Sequence, residues 1–166
     1  TVLDMVRSLH PARDLAGFCA LRRIIGEWHP DIVHAHSSKA GFLARAAIHY
    51  GHWPEKRPLA LYSPHCFAFQ ACVGIVRQRF YLEIERLAAS WTDCFVFISA
   101  GERRAALARG LTSEDKVHDL PLGVDVGQFA PNCGASREEL GLPEGTLVGS
   151  VGDLRPQKAP GLLVEA

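Results

Sequence analysis

Apolar residues recur along this chain with helical spacing and strand spacing in turn. Residues 15–28 carry apolar side chains at helical spacing, and Pro30 ends that pattern before a short apolar run over 31–36. The alternation continues, with helices predicted over 41–50, 75–91 and 99–109 and strands over 59–63, 94–98 and 117–120. Nearly continuous apolar strands separated by helices predict the α/β fold class, with a parallel sheet covered by helices on both faces.

Two local patterns refine the predicted helices. Ser99 with Glu102, and Ser136 with Glu139, have the spacing of a capping box at the start of a helix. In the long helix over 75–91 the apolar residues lie along one side. These residues are Val76, Phe80, Ile84, Leu87 and Ala88.

The amino-acid composition of the sequence changes after Pro121. Glycine, proline and asparagine are frequent over 123–134, as in a linker or a crossover loop. A short helix after Ser136, a strand over 146–151 and a last helix are predicted beyond it. We therefore expect a domain boundary near 122–135.

Composition and charge narrow the functional classes. The 166 residues are 48% hydrophobic and 22% charged, which is typical of a globular protein, and no apolar run is long enough to span a membrane. The net charge of 18 − 18 = 0 argues against a strongly basic nucleic-acid binder. The charge is uneven, because residues 1–110 carry 14 basic and 9 acidic side chains (+5) and residues 111–166 carry 4 and 9 (−5).

Cysteine usage and the chain ends give two further expectations. The five cysteines are odd in number and contain no Cys-x-x-Cys pair, which favours reduced thiols in a cytosol-like compartment. The chain starts without methionine or a leader pattern and stops within a predicted helix, so we expect it to be a fragment.

Polar residues follow the first predicted strand, at the end where ligands bind to parallel sheets. His36, Ser37, Ser38 and Lys39 lie between this strand and the next helix, where free N–H groups and the helix dipole favour an anion. The position suits a phosphate or carboxylate ligand. The simpler alternative is a capped helix with a packed histidine and a solvated lysine.

The histidines support a second hypothesis. His34 and His36 point to the same side of their strand, and His65 follows the next strand, so the three could hold zinc or iron in a hydrolase. No carboxylate lies in the same turns to complete such a site, and structural histidines are the simpler interpretation. His65 could otherwise relay a proton, or bind phosphate when charged. Cys66 is poorly placed to act with it, because neighbouring side chains on an extended segment point apart.

A second polar turn lies near the end of the chain, over 148–160. Gly152, Arg155 and Lys158 stand between a predicted strand and a helix, where cations suit a diphosphate. The alternative is a loop with two exposed basic residues.

Five segments, in order, resemble the retaining glycosyltransferases of family 4, which have the two-domain GT-B architecture. They are DIVHAHSSKAGFLARAA, YSPHCFAF, IERLAASWTDCFVFISAGERRAAL, LPLGVDVGQFAP and VGSVGDLRPQKAPGLLVEA. The second is similar to the YTPHGFAF of bacterial exopolysaccharide and capsule members. The resemblance implies part of a Rossmann-like, acceptor-side N-terminal domain over 1–125 and a linker over 126–145. It also implies the first strand and helix of a nucleotide-sugar-binding domain over 146–166.

The resemblance further implies a function. Family members transfer a sugar from a nucleotide diphosphate sugar to an acceptor, without a catalytic metal or other cofactor, and here we expect surface polysaccharide or lipid-linked glycan synthesis. The implied sites are His65 and His36 for catalysis, Ser37, Ser38 and Lys39 for the acceptor, and Gly152, Arg155 and Lys158 for the donor diphosphate. We expect the protein to lie in the cytoplasm, where its basic N-terminal part meets the inner face of the membrane. We expect no nucleic-acid partner and no transferase activity from the fragment alone.

Three positions depart from the family pattern. Asp153 stands where arginine is common and would oppose a diphosphate, Leu122 replaces an asparagine, and Cys66 replaces the glycine of PHGF. A metal-dependent hydrolase built on the three histidines and a non-catalytic α/β binding module stay open as alternatives.

Overall fold

The computed structural model describes residues 9–71, 74–129, 134–153 and 158–165. The chain divides into two compact units, Thr1–Pro121 and Leu122–Ala166.

The described residues of the first unit form four parallel strands joined by helices. The strands are β1 (Ile32–His36), β2 (Leu59–Ser63), β3 (Cys94–Phe97) and β4 (Val117–Asp119), which lie side by side in that order. The helices are α1 (Pro11–Trp28), α2 (Ser38–His49), α3 (Ile75–Ala89) and α4 (Ala100–Leu107), and short 3₁₀ turns span Ala68–Gln70 and Glu114–Lys116. The predicted α/β fold with a parallel sheet is confirmed.

Local sequence signals mark several helix ends. Proline occupies the start of α1, where its missing N–H costs nothing, and His29 ends the helix in a left-handed conformation with φ 48°. The predicted cap of α4 forms, since Ser99 Oγ accepts a hydrogen bond of 3.3 Å from the N–H of Glu102. The end of α1 and the start of α4 agree with the predicted positions, whereas α1 begins before the predicted helix.

The strand order places the connecting helices on one face of the sheet, whereas the sequence predicted helices on both faces. Each connection leads to the neighbouring strand, and all of them move in the same direction across the sheet. Right-handed connections therefore put α2, α3 and α4 on the same face of the sheet. Ala60 and Tyr62 of β2 are fully buried on that side. His34 and His36 lie on the other side, because successive residues of a strand alternate between faces.

The helix α3 packs through the side that carries Glu85 and Ala88. Val76, Phe80 and Leu87 are 78%, 52% and 52% exposed, whereas Glu85 and Ala88 are buried. Of the apolar side noted in the sequence, Ala88 therefore belongs to the core, whereas Val76, Phe80 and Leu87 do not. The reason is that Glu85 turns inward to meet a buried arginine, which rotates these three residues outward.

The second unit contains less regular structure than the sequence predicts. Residues 146–151 form no strand, and the described part of this unit contains no other strand with which they could pair. The Ser136 capping box forms, with hydrogen bonds of 2.7 Å and 3.2 Å to and from Glu139, but it closes only a single turn. The last helix, α5 (Pro160–Glu165), is six residues long.

Candidate functional site

Two histidine rings meet at the carboxyl edge of β1 and β2. His36 pairs with Ser63 in the parallel register, so the chain that leaves β2 brings His65 next to His36. His36 Nδ1 lies 2.8 Å from His65 Nε2, and the two rings stack with centroids 5.1 Å apart. His65 has φ 55°, a left-handed conformation that is uncommon outside glycine and is concentrated at functional sites. The structure therefore brings together the two residues that we predicted to be catalytic.

The hydrogen bond between His36 and His65 gives the pair two complementary ends. When both rings are neutral, one donates and the other accepts within the bond, so one outer nitrogen is a donor and the other an acceptor. Exchanging both tautomers reverses the roles. One added proton makes both outer nitrogens donors, which suits a phosphate oxygen. The pair can thus orient a hydroxyl, move a proton or, when charged, bind an anion.

His34 lies beside this pair and supports the edge of the sheet. Its Nε2 is 2.9 Å from Ser63 Oγ, and its ring centroid is 4.2 Å from that of His36. Partial burial, followed by the nearby His36 and His65, lowers the pKa of His34. His34 is therefore neutral at neutral pH and holds the buried Ser63 side chain.

The two serines after β1 tie the first loop of this edge to the second. Ser37 has φ 68°, and its N–H donates to the carbonyl oxygen of Ser63 at 3.0 Å. Ser38 Oγ accepts a hydrogen bond of 3.2 Å from the N–H of Ala68, which lies after the PHCF segment. Both serines thus lie next to the histidine pair and fix the distance between the two loops.

Lys39 has a carboxylate partner on α1. Its Nζ lies 2.5 Å from Asp14 Oδ1, and both side chains are only 20% exposed. The hydrogen bond from Lys39 is the largest cause that lowers the pKa of Asp14. The interpretation of Lys39 as a solvated lysine is wrong, and an anionic ligand of Lys39 would compete with Asp14.

The three histidines do not converge on a common point. The ring nitrogens of His36 and His65 bond to each other, and His34 bonds to Ser63. Among the residues that the structure describes, no group of three His, Cys, Asp or Glu side chains is arranged to hold a metal ion. This geometry gives no support to the hydrolase alternative.

A buried charged network lies beneath this edge, and the sequence analysis missed it. Arg45 on α2 is fully buried, and its Nη2 donates to Glu85 Oε2 at 3.0 Å. Tyr62 donates to the other oxygen of Glu85 at 3.0 Å, and the guanidinium carbon of Arg45 lies 3.7 Å from the centre of the Tyr62 ring. Burial, followed by the charge of Glu85, raises the pKa of Tyr62. One signal was available, because Arg45 is the only charged residue in the otherwise apolar run 42–48.

Tyr62 connects this network to the histidine pair. It precedes Ser63 and His65 in the chain, and a Cβ at Gly41 would lie 2.3 Å from its Cε2 atom. Only glycine therefore fits where the first turn of α2 crosses the ring. The network supports the two loops that carry the candidate site.

The predicted donor-side residues lie in the second unit. Gly152 and Lys158 are exposed, and Lys158 lies two residues before α5. Asp153 is exposed as well, and Arg155 lies outside the described residues. The structure thus places Gly152 and Lys158 in one unit and the histidine pair in the other.

Comparison with known sequences identifies a family that matches most of the chain and a relative that matches nearly all of it. Residues 1–123 match the family described as Glycosyl transferase 4-like domain. Over 99% of its length the chain aligns with the UDP-Gal:alpha-D-GlcNAc-diphosphoundecaprenol alpha-1,3-galactosyltransferase of Escherichia coli, at 30% identity. The alignment covers 43% of that relative.

Two further relatives match part of the chain. Over 52% of its length the chain aligns with an uncharacterized 41.2 kDa protein in the cps region of Klebsiella pneumoniae, at 36% identity, and the alignment covers 24% of that protein. The chain is 34% identical over 83% of its length to 34% of a D-inositol 3-phosphate glycosyltransferase of Actinosynnema mirum. The chain therefore spans less than half the length of these curated relatives.

Proposed function

Because the chain belongs to the family of glycosyl transferase 4-like domains, we propose that the full-length protein transfers a sugar from a nucleotide diphosphate sugar to a glycan or lipid-linked acceptor. The observation that carries the proposal is the His36–His65 pair, which stands at the ligand-binding edge of the matched domain. The galactosyltransferase relative acts, by its name, on a diphosphoundecaprenol acceptor. We therefore favour a lipid-linked diphosphate acceptor in surface polysaccharide synthesis.

The histidine pair would act on the acceptor. The acceptor hydroxyl oxygen forms the new bond to the anomeric carbon, while the bond from that carbon to the donor diphosphate breaks and leaves its electrons on the diphosphate oxygen. An outer nitrogen of the pair accepts a hydrogen bond from the hydroxyl and thereby orients the hydroxyl. The hydroxyl proton is transferred either to the departing diphosphate or to that nitrogen. Ser37 and Ser38 would contact the acceptor beside the histidine pair. Lys39 would bind the negative charge of the acceptor once that charge displaces Asp14 from Lys39.

The second unit would bind the donor. Gly152 lets the backbone approach a diphosphate, and Arg155 and Lys158 would stabilise the negative charge that develops as the nucleoside diphosphate leaves. Asp153 opposes this charge, so binding would depend mainly on the two cations. The proposal includes retention of the anomeric configuration and requires no metal or other cofactor.

The proposal places the protein in the cytoplasm, at the inner face of the membrane. None of the described helices is long and apolar enough to cross a bilayer. The excess of five positive charges over residues 1–110 supports peripheral attachment to an anionic surface. Nucleic acid is not a proposed partner.

A transfer assay on the full-length protein tests the proposal. Labelled UDP-galactose and a short-chain analogue of GlcNAc-diphosphoundecaprenol serve as donor and acceptor. We expect His65→Ala to lower kcat/KM about 10²-fold, because the acceptor hydroxyl loses its orienting partner. The control His52→Ala changes an exposed loop histidine and should leave kcat/KM unchanged. Equal activity of both variants would contradict the role of His65, and binding of the donor without transfer to any acceptor would favour a non-catalytic module.

A further inference from the structure

The first turn of α1 lies at the same edge of the sheet as the histidine pair. The helix α1 leads into β1, so its last turn is near the amino edge of the sheet and its first turn is near the carboxyl edge. Asp14 in the first turn reaches the start of α2, where its Oδ1 lies 2.5 Å from Lys39 Nζ. A carboxylate of the chain itself therefore occupies the place where the sequence predicts an anionic ligand.

Two elements hold Asp14 in this place. Its Oδ2 accepts a hydrogen bond of 3.0 Å from the N–H of His10 at the start of α1, while its Oδ1 faces Lys39 on α2. The hydrogen bond from Lys39 lowers the pKa of Asp14, so this carboxylate is charged at neutral pH. Asp14 thus presents to Lys39 the charge and the oxygen that a phosphate ligand would present.

The position of Lys39 ties this ion pair to the candidate site. Lys39 follows Ser37 and Ser38, which lie next to the histidine pair. With the side chains of Lys39 and Asp14 only 20% exposed, a ligand oxygen that reaches Lys39 takes the place of the carboxylate. The apparent affinity of such a ligand is then reduced by the fraction of molecules in which Asp14 has left Lys39.

We propose that Asp14 is an internal competitor at Lys39, which opens this position only to a ligand that outcompetes a carboxylate. The inference rests on the proposed function, and it names the diphosphate of the lipid-linked acceptor as that ligand. A diphosphate carries more negative charge than one carboxylate and has further oxygens that can bind beside Lys39. Asp14 thereby sets a threshold of affinity that weakly bound anions do not reach, and a neutral acceptor gains nothing from Lys39.

The alternative role for Asp14 is to position Lys39, and the two roles predict opposite signs. In Asp14→Asn the side chain loses its charge but keeps an oxygen that can accept from the N–H of His10, so the start of α1 is preserved. An internal competitor predicts that this variant binds a diphosphate more tightly, because Lys39 is no longer occupied. A positioning residue predicts weaker binding, because Lys39 would lose its orientation.

Isothermal titration calorimetry on the full-length protein measures this sign. The probes are inorganic pyrophosphate, a short-chain analogue of GlcNAc-diphosphoundecaprenol, and a GlcNAc glycoside with the same chain and no diphosphate. We expect Asp14→Asn to bind both diphosphates about threefold to tenfold more tightly than the wild type does, since an ion pair near the surface competes with a strength of that order. The Kd of the uncharged glycoside should not change. Asp14→Ser is a second variant that should give the same gain.

Two further variants serve as controls. Lys39→Gln should remove most of the gain that Asp14→Asn produces, because the gain depends on Lys39. Glu27→Gln removes the same charge from the far end of α1, where Glu27 pairs with Arg23 at 3.7 Å, and should leave every Kd unchanged. The proposal is overturned if both Asp14 variants bind the diphosphates no more tightly than the wild type does, if Glu27→Gln gives an equal gain, or if the gain persists in Lys39→Gln.

The competitor role and the proposed function can fail separately. Calorimetry needs no transfer, whereas the transfer assay needs a donor and a reacting acceptor. Transfer by the wild type, without tighter binding by the Asp14 variants, would overturn only the role of Asp14. A Lys39-dependent gain in affinity for pyrophosphate, without transfer to any acceptor, would overturn only the glycosyltransferase proposal.

Discussion

The replacement Glu85→Leu should destabilise the first unit strongly. The change leaves the guanidinium of Arg45 buried without a carboxylate and leaves the Tyr62 hydroxyl without its acceptor. Removing one partner of a buried ion pair costs about 3–5 kcal/mol, and an unsatisfied buried hydroxyl costs about 1–3 kcal/mol. The two costs share one side chain and are not additive, so we expect the free energy of unfolding to fall by at least about 3 kcal/mol.

A double variant separates the charge from the packing. Arg45→Met with Glu85→Leu replaces both ions by apolar groups of similar size, and such replacements are often neutral or stabilising. We therefore expect the double variant to regain the stability lost to the unpaired charge, also where Glu85→Leu alone fails to fold, and to keep only the cost of about 1–3 kcal/mol for the Tyr62 hydroxyl. Glu83→Leu is the matched control, since Glu83 is exposed on the same helix and its loss should cost under about 1 kcal/mol.

Urea unfolding followed by tryptophan fluorescence measures these differences. Trp91 is a suitable reporter, because it packs against Ala88 of α3 and Ala46 of α2. The reasoning is refuted if Glu85→Leu lowers the free energy of unfolding by less than about 1 kcal/mol, or if the double variant is as unstable as the single one.

Two further predictions concern the same edge of the sheet. Gly41→Ala should lower the melting temperature, because the new Cβ would meet the buried Tyr62 ring and overpacking costs about 1–3 kcal/mol. Gly26→Ala is the control and should raise the melting temperature, since Gly26 lies in open space on α1. Equal effects of the two variants in a thermal melt would contradict this packing. The folded-state pKa of His34 lies below its ordinary value of 6.5, so the unfolded chain binds the proton more readily and stability should fall as pH drops below about 6.5. His34→Gln should reduce this loss in urea titrations at pH 7 and pH 5.5, and an unchanged loss would show that other groups cause it.

The order of elements could be predicted from the sequence because each strand is a short apolar run between helices. The strand β2 (Leu59–Ser63) has the predicted bounds, and α1 starts four residues before the predicted helix. Residues 146–151 show the limit of this reasoning. An apolar run specifies a strand only when a neighbouring strand supplies hydrogen-bond partners, and the pattern of one segment does not contain that information.

The histidine pair could be predicted and the charged network could not, for one physical reason. The carboxyl ends of neighbouring parallel strands meet at one edge, so His36 and His65 are placed together by topology alone. Arg45 and Glu85 lie 40 residues apart on two helices, and their contact depends on how each helix rotates. Apolar spacing alone assigns no inward role to Glu85, because Glu85 is a charged residue whose partner is also buried.

The binding of an acceptor analogue to the histidine pair tests the central claim most directly. The measurement is the titration of the full-length protein with a short-chain analogue of GlcNAc-diphosphoundecaprenol, followed by the ¹⁵N chemical shifts of the histidine rings. The account predicts saturable shifts at His36 and His65, with none at the exposed loop residue His52. Shifts confined to other histidines, or saturable binding of the analogue that leaves both rings unchanged, would contradict it.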